Sequence, residues 1–222
     1  MDHTSRFLLA CDGLEGARSQ ESRAVFERLF REFGMPARIR TDNGVPFASI
    51  APGGLSRLSI WWIRLGVLPE RIEPGKPQQN GRHERMHRTL KCAVTHPVSE
   101  NLRQQQQQFD DFVWTYNHER PHEGLGQQCP ASCYEASIRS FPSRLPELNY
   151  PSHFEVRKVG RNGVIYWQNL RGYAGYLLVD EWVGLEQIAD GIWDAYFGPH
   201  RMGRFDERLA GGKGGDYINL KV

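Results

Sequence analysis

Two carboxylates and a run of cations are the residues in this chain that could do chemistry. Asp42 opens an Asp42-Asn43-Gly44 turn directly after an apparent strand ending in Arg40-Thr41. Glu84 lies one turn into an apparent helix that follows Gly75-Lys76-Pro77-Gln78-Gln79-Asn80-Gly81. Two acids placed on such elements can share a divalent cation beside a phosphodiester, because Mg²⁺ accepts a few carboxylates and completes its shell with water and phosphate oxygens. Around Glu84 stand Arg82, Arg85, Arg88 and Lys91, with His83 and His87 among them. A local basic stripe of this kind is the electrostatic footprint of a nucleic-acid binder, although the net charge of +2 does not announce one. Each feature also has a plainer meaning. Asp, Asn and Gly are turn formers, and Glu84 with Arg88 at i,i+4 could be an ion pair on a solvated face.

The elements that must position these residues follow from apolar spacing. On the helix from about Asn80 to Val94, Met86, Leu90 and Val94 form an inward stripe, while Glu84, His87, Arg88 and Lys91 share another face. Upstream, Arg6 to Cys11 reads as a buried strand. Ser19 is an expected N-cap for a helix from Gln20 to Phe33 with Val25, Leu29, Phe30 and Phe33 inward, and Ala37 to Thr41 reads as a second strand. This order predicts an α/β layer with a parallel pairing. Leu55 to Leu65 is a helix whose Trp61 and Trp62 are core residues, and Val67 to Glu73 is a strand. A helix from Glu100 to Tyr116 turns Phe109, Phe112, Val113 and Tyr116 inward, and its glutamine run, Gln104 to Gln108, is expected on a solvent face. Pro130 to Ile138 reads as a short last helix.

Composition shifts near residue 139. Residues 139–152, rich in proline, read as a linker. Residues 153–208 then carry β-type runs at 154–159, 164–167, 176–179, 184–188 and 192–197. Arg161-Asn162-Gly163 signals a hairpin turn between the first two, and the spacing fits a small barrel. Residues 209–222, with Gly211-Gly-Lys-Gly-Gly215, read as a flexible tail. The four cysteines, Cys11, Cys92, Cys129 and Cys133, are scattered and are expected to be reduced thiols. No apolar run is long enough for a membrane span, and a cytoplasmic protein is expected.

Further motifs sharpen the reading. After the Glu84 helix comes Tyr116-Asn117-His118-Glu119-Arg120-Pro121-His122, then a Gly-x-x-x-Pro-Ala-x-x-Tyr stretch from Gly126 to Tyr134. With the Asp42-x-Gly44 turn and the Pro-Gly-x-Pro-x-x-Asn-Gly loop ending at Gly81, this ordered set resembles the catalytic core of DDE transposases of bacterial insertion sequences, related to retroviral integrases. The resemblance covers roughly residues 1–138. It implies an RNase H-like core in which three acids bind two Mg²⁺ or Mn²⁺ ions, with Asp42 as the second acid and Glu84 as the third. It places Arg88 and Lys91 at DNA-contacting positions, beside Arg82, Arg85 and His87. It implies that residues 153–208 are an SH3-like β-barrel contacting DNA. The first acid of the family lies on an earlier strand, and Asp2-His3-Thr4-Ser5-Arg6 resembles the end of the strand after it. The expected fold is therefore α/β, an RNase H-like core lacking its first strand or strands, with weak or single-ion metal binding and no strand transfer by this chain alone.

The partners implied are double-stranded DNA (transposon ends and target) and further copies of the chain or a full-length transposase. Three functions stay open on sequence: a transposase or integrase by descent, a non-catalytic DNA-binding remnant or regulator of the same fold, and an unrelated α/β protein.

Overall fold

The computed structural model describes residues 1–14, 16, 19–73, 75–94, 99, 101–167, 170–209 and 217–220, with Pro77 and 217–219 described in backbone only. The elements run α1 (Ser19–Phe33), β1 (Arg38–Thr41), α2 (Arg57–Arg64), β2 (Leu68–Arg71), α3 (Gly81–Val94), α4 (Leu102–His118), α5 (Pro130–Cys133), β3 (Glu155–Lys158), β4 (Val164–Trp167), β5 (Leu170–Tyr173), β6 (Trp182–Ala189), β7 (Ile192–Phe197), β8 (His200–Asp206) and β9 (Tyr217–Asn219). The mixed α/β class expected from the sequence is present. Two compact units divide the chain. The first comprises Met1–Pro36 and Ile72–Phe141, and the second Ala37–Arg71 and Pro142–Val222.

In the first unit α3 and α4 pack face to face. Met86, Val94, Phe112 and Tyr116 are buried together with Leu8, and Leu90, Phe109 and Val113 pack against them. The Asn101 side chain caps α4 by accepting from the Gln104 amide at 3.0 Å, satisfying one of the orphan N–H groups of a helix start. At the end of α1, Gly34 takes φ +74°, and a Cβ there would lie 2.1 Å from the Ser137 carbonyl oxygen. The chain can therefore turn so tightly against 137–139 only with glycine. The Phe33 and Met35 backbones bond to Ser137 and Arg139 across this contact.

Residues 6–11 are not a strand. No strand lies beside them to share a ladder among the described residues. Amide side chains of α4 take over that pairing instead. Asn117 accepts from the Leu8 N–H at 2.8 Å and donates to the Leu8 carbonyl at 3.0 Å. Three turns earlier, Gln106 donates to the Cys11 carbonyl and accepts from the Gly13 N–H, both at 2.9 Å. The glutamine run is therefore not merely a solvent face. Gln105 also points inward, donating to the Val94 carbonyl at 3.1 Å.

In the second unit β1 and β2 pair in parallel, Arg38 opposite Leu68 and Arg40 opposite Glu70. Glu70 accepts from both Arg38 and Arg40, at 2.9 and 3.1 Å, which holds its carboxyl below the usual range. The α2 crossover between these strands opens with a capping box, the Ser56 side chain accepting from Ser59 N and the Ser59 side chain from Ser56 N. Trp61 and Trp62 are buried, as their spacing predicts. Leu55, Ile60 and Ile63 join Val183, Leu185, Trp193, Ala195, Phe197, Met202 and Phe205 in one core.

The C-terminal strands form two sheets, β3-β6-β7-β8 and β4-β5-β9. Among the described residues they do not close into a barrel. Gly163 does occupy a tight turn at φ +74°. Gly160 accepts from the Gly163 N–H at 2.8 Å and donates to the Val164 carbonyl at 2.9 Å, so the turn closes as the sequence suggests, while β3 before it pairs with β6 and β4 after it with β5. Residues 176–178 form a 3₁₀ turn rather than a strand. Residues 217–219, within the segment expected to be a flexible tail, pair in parallel with β5, while 210–216 and 221–222 lie outside the described residues. No described helix is long and apolar enough to cross a membrane.

Candidate nucleic-acid interface

The cationic stripe is a helix surface whose opposite side is fixed by packing. Met86 and Val94 hold α3 against α4, and that leaves Arg82, Glu84, Arg85, His87, Arg88 and Lys91 exposed. Thr89 bonds back to the Arg85 carbonyl at 3.1 Å within the helix. Glu84 lies in the first turn, where a carboxylate meets the positive end of the helix dipole. The i,i+4 ion pair between Glu84 and Arg88 does not form, although such pairs form elsewhere in the chain, as between Arg31 and Glu27 at 2.8 Å.

Two residues of the stripe differ from the sequence expectation. Arg82 is turned back toward the chain, donating from Nη1 to the His3 carbonyl at 2.7 Å, with the His3 ring nitrogens 3.2 Å away. His87 lies with its ring 4.2 Å, centroid to centroid, from that of His83. Although exposed as a residue, its ring is partly dehydrated by its surroundings, and with Lys91 nearby its pKa falls below the usual histidine value. At neutral pH it is an uncharged donor and acceptor rather than a cation. Arg85, Arg88 and Lys91 are left as the outward cations.

Asp42 belongs to the other unit. It follows the last residue of β1, exposed, and its Oδ1 accepts from the Gly44 N–H at 3.0 Å. It is thus both the turn former and the strand-end acid that the sequence suggests. The two acids are not brought into one unit. Among the described residues no three His, Cys, Asp or Glu side chains come together as a metal-ligating group. Within either unit, the residues therefore do not fit the two-ion, three-acid site that the resemblance implies.

Sequence reasoning left the Tyr116–His122 motif without a role. The structure gives it two. Asn117 pairs the Leu8 backbone, as described above, and His122 sets its ring edge-on to Tyr116, centroids 4.8 Å apart. The signal was the motif itself, whose amide and imidazole types invite buried hydrogen bonds.

Comparison with known proteins follows the same stretch. Residues 65–130, which include α3 and α4, match the family described as integrase core domain. A segment of 74 residues is 35% identical to the Gag-Pol polyprotein of baboon endogenous virus (strain M7), covering 33% of this chain and 4% of that protein. The Pol polyprotein of feline endogenous virus ECE1 matches at the same identity over 74 residues, covering 33% of this chain and 6% of its own length. The chain thus spans only a small fraction of these relatives. Among solved structures, the BIV integrase catalytic core domain aligns with TM-score 0.42 and 20% identity, over 55% of this chain and 73% of that one. The simian T-cell lymphotropic virus intasome, solved in complex with PP2A regulatory subunit B56 gamma, aligns with TM-score 0.42 and 15% identity, over 82% and 63%. The matched segment, which holds α3 and α4, is thus similar to an integrase core domain.

Proposed function

We propose that this chain is a DNA-binding protein of DNA integration and transposition, and that the outward face of α3 is the surface that meets the duplex. The observation supporting this is that Arg85, Arg88 and Lys91 stand exposed on one well-anchored helix within the family-matched segment. Lysine and arginine on a rigid helix neutralise backbone phosphates and release counterions, which gives affinity with little sequence preference. The C-terminal sheets, expected to contact DNA, would add a second surface of the same kind. The family's chemistry is metal-dependent phosphoryl transfer, with Asp42 and Glu84 the acids of this chain that would face Mg²⁺ or Mn²⁺. Since, among the described residues, neither unit gathers a three-ligand group, strand transfer is assigned to an assembly with further copies or a full-length transposase, and not to this chain alone.

The experiment is fluorescence anisotropy with a labelled duplex across a salt series. Wild-type affinity should fall steeply with salt, and Arg88→Ala/Lys91→Ala should reduce the slope of log K against log salt by about 2. An unchanged slope in the double variant would remove α3 as the DNA surface. A cleavage assay in Mg²⁺ completes the test, because turnover abolished by Glu84→Gln would show that the chain is catalytic by itself.

A further inference from the structure

We propose that Arg6, flanked by α3, the end of α4 and the turn after it, forms a phosphate-binding pocket with Arg82, Arg85, Arg120 and His122. Three elements of the first unit converge there. Arg82 of α3 is tied to the 1–6 segment by its bond to the His3 carbonyl. Asn117 of α4 fixes Leu8, two residues beyond Arg6. A Cβ at Gly124 would stand 3.3 Å from Arg6 Nη2, so the 123–125 turn closes tightly on the guanidinium. His122 is held in place at the base of that turn, its backbone bonded to Gln128 and its ring against Tyr116.

What these groups have in common is an uncompensated cost. Arg6 adopts φ 63°, a left-handed conformation that side-chain-bearing residues rarely take. Its Nε is buried without a hydrogen-bond partner, and so is Nε2 of His122. Native structures seldom leave a donor such as the Arg6 Nε–H orphaned unless something outside the chain completes it. The His122 ring donates through its other nitrogen to the Tyr116 backbone, so its Nε2 becomes a donor when the ring is protonated. The charge pattern has the same sense. Lost hydration, then Arg82 and Arg85, push the Arg6 pKa down, and lost hydration, then Arg120 and Arg6, push His122 down. The nearest acid in sequence, Asp2, is already engaged by the Thr4 and Ser5 amides and the Ser5 hydroxyl, at 3.0, 2.7 and 2.7 Å. A strained, desolvated cation among like charges, beside an imidazole that offers a second N–H once protonated, suits a tetrahedral oxyanion with several acceptor oxygens. Guanidinium groups meet phosphate oxygens in this way.

The ligand class is a phosphate group, either of a DNA backbone or free in solution. The backbone source rests on the DNA-binding reading above, and the test separates the two. Arg6→Gln keeps a polar side chain and removes the charge. In anisotropy with a labelled duplex, it should lower the salt slope by about 1. In thermal melts, inorganic phosphate should raise the melting temperature of wild type and not of Arg6→Gln. In phosphate-free buffer Arg6→Gln should melt no lower than wild type, because it relieves repulsion and desolvation. A structural arginine would show the reverse. Gly124→Ala, which crowds the guanidinium, should weaken phosphate binding without removing a charge. If wild type binds no DNA yet responds to phosphate through Arg6, the DNA reading fails and the pocket stands as a free-phosphate site. An Arg6→Gln protein with unchanged salt slope and unchanged phosphate response, or one unfolded in phosphate-free buffer, overturns the proposal.

Discussion

In the second unit, Asp194 is buried on β7 and takes paired hydrogen bonds from Arg201 and from Arg204, at 2.8 and 2.9 Å and at 2.7 and 3.2 Å. In the first unit, Arg6 stands near Arg82 and Arg85, with its Nε unpartnered. The two clusters contain the same side chain, and they differ in whether the chain supplies the anion. Where it does, as at Asp194, the acid outweighs the repulsion between the two arginines and the arrangement is finished on folding. Where it does not, the arginines raise the free energy of the folded state until a partner arrives. The cores differ in parallel. Among the described residues, fifteen buried side chains join α2 to the two C-terminal sheets, whereas five pack α3, α4 and Leu8 together. The second unit can thus be read as scaffold, while the first holds its N-terminal segment by a few amide bonds.

The largest expected effect comes from breaking those bonds. Asn117 and Leu8 are both almost fully buried, at 1% and 2% exposure. Asn117→Ala leaves the Leu8 N–H and C=O unsatisfied, which costs about 2–4 kcal/mol. Chemical denaturation followed by a probe in the first unit should show it, and hydrogen exchange at the Leu8 amide should lose its protection. A loss below about 1 kcal/mol, with protection intact, would mean that the segment is held by its apolar contacts, as the core of the second unit is.

Much of this arrangement was legible in the sequence, and what was missed has definite physical causes. The helices followed from apolar spacing, and α2, α3 and α4 stand within two residues of their expected starts. The Arg6–Cys11 run looked like a strand because burial and strand formation share the same residue types, and nothing local says whether a neighbouring strand exists. The glutamine run looked solvated because amides are polar; only the extended chain beside α4 turns Gln106 into a substitute ladder. β5 (Leu170–Tyr173), with Arg171 and Gly172, and β8, with Arg201, Gly203 and Arg204, were hidden by their charges and glycines. Gly172 is required there because a Cβ would lie 2.7 Å from the Trp167 ring. Of the candidate site, the cations of α3 were legible from helical offsets. The inward turn of Arg82 and the neutral state of His87 depend on neighbours distant in sequence or on lost hydration, and offsets carry neither.

A second prediction uses acid to convert the finished cluster toward the unfinished one. Two arginines hold the Asp194 carboxyl at about 2, below the ordinary 3.8. The folded value is the lower one, so the stabilisation is fully present above pH 3.8 and is lost as pH falls through about 2. The amount is about 1–2 kcal/mol, allowing for solvent screening at the two half-exposed guanidinium groups. Urea midpoints at a series of pH values should show a steeper acid loss in wild type than in Asp194→Asn. Parallel curves for the two proteins would show that Asp194 has no special tie to its arginines.

The smallest effect tests whether burial of the acid, rather than pairing alone, separates the clusters. Arg64 Nη1 donates to both oxygens of Glu181, at 2.8 and 2.6 Å, as close as any contact Asp194 makes. Both side chains remain about a quarter exposed, 22% and 23%, where solvent competes for each charge and mobile ions screen them. Pairs of this kind contribute about 0–1 kcal/mol. Glu181→Gln should therefore shift the denaturation midpoint only slightly, and the difference from wild type should shrink further in high salt. If Glu181→Gln cost as much as Asp194→Asn and the loss were insensitive to salt, the short contact distance would be what matters. The contrast between an enclosed acid and an unmatched arginine would then have to be redrawn in terms of geometry alone.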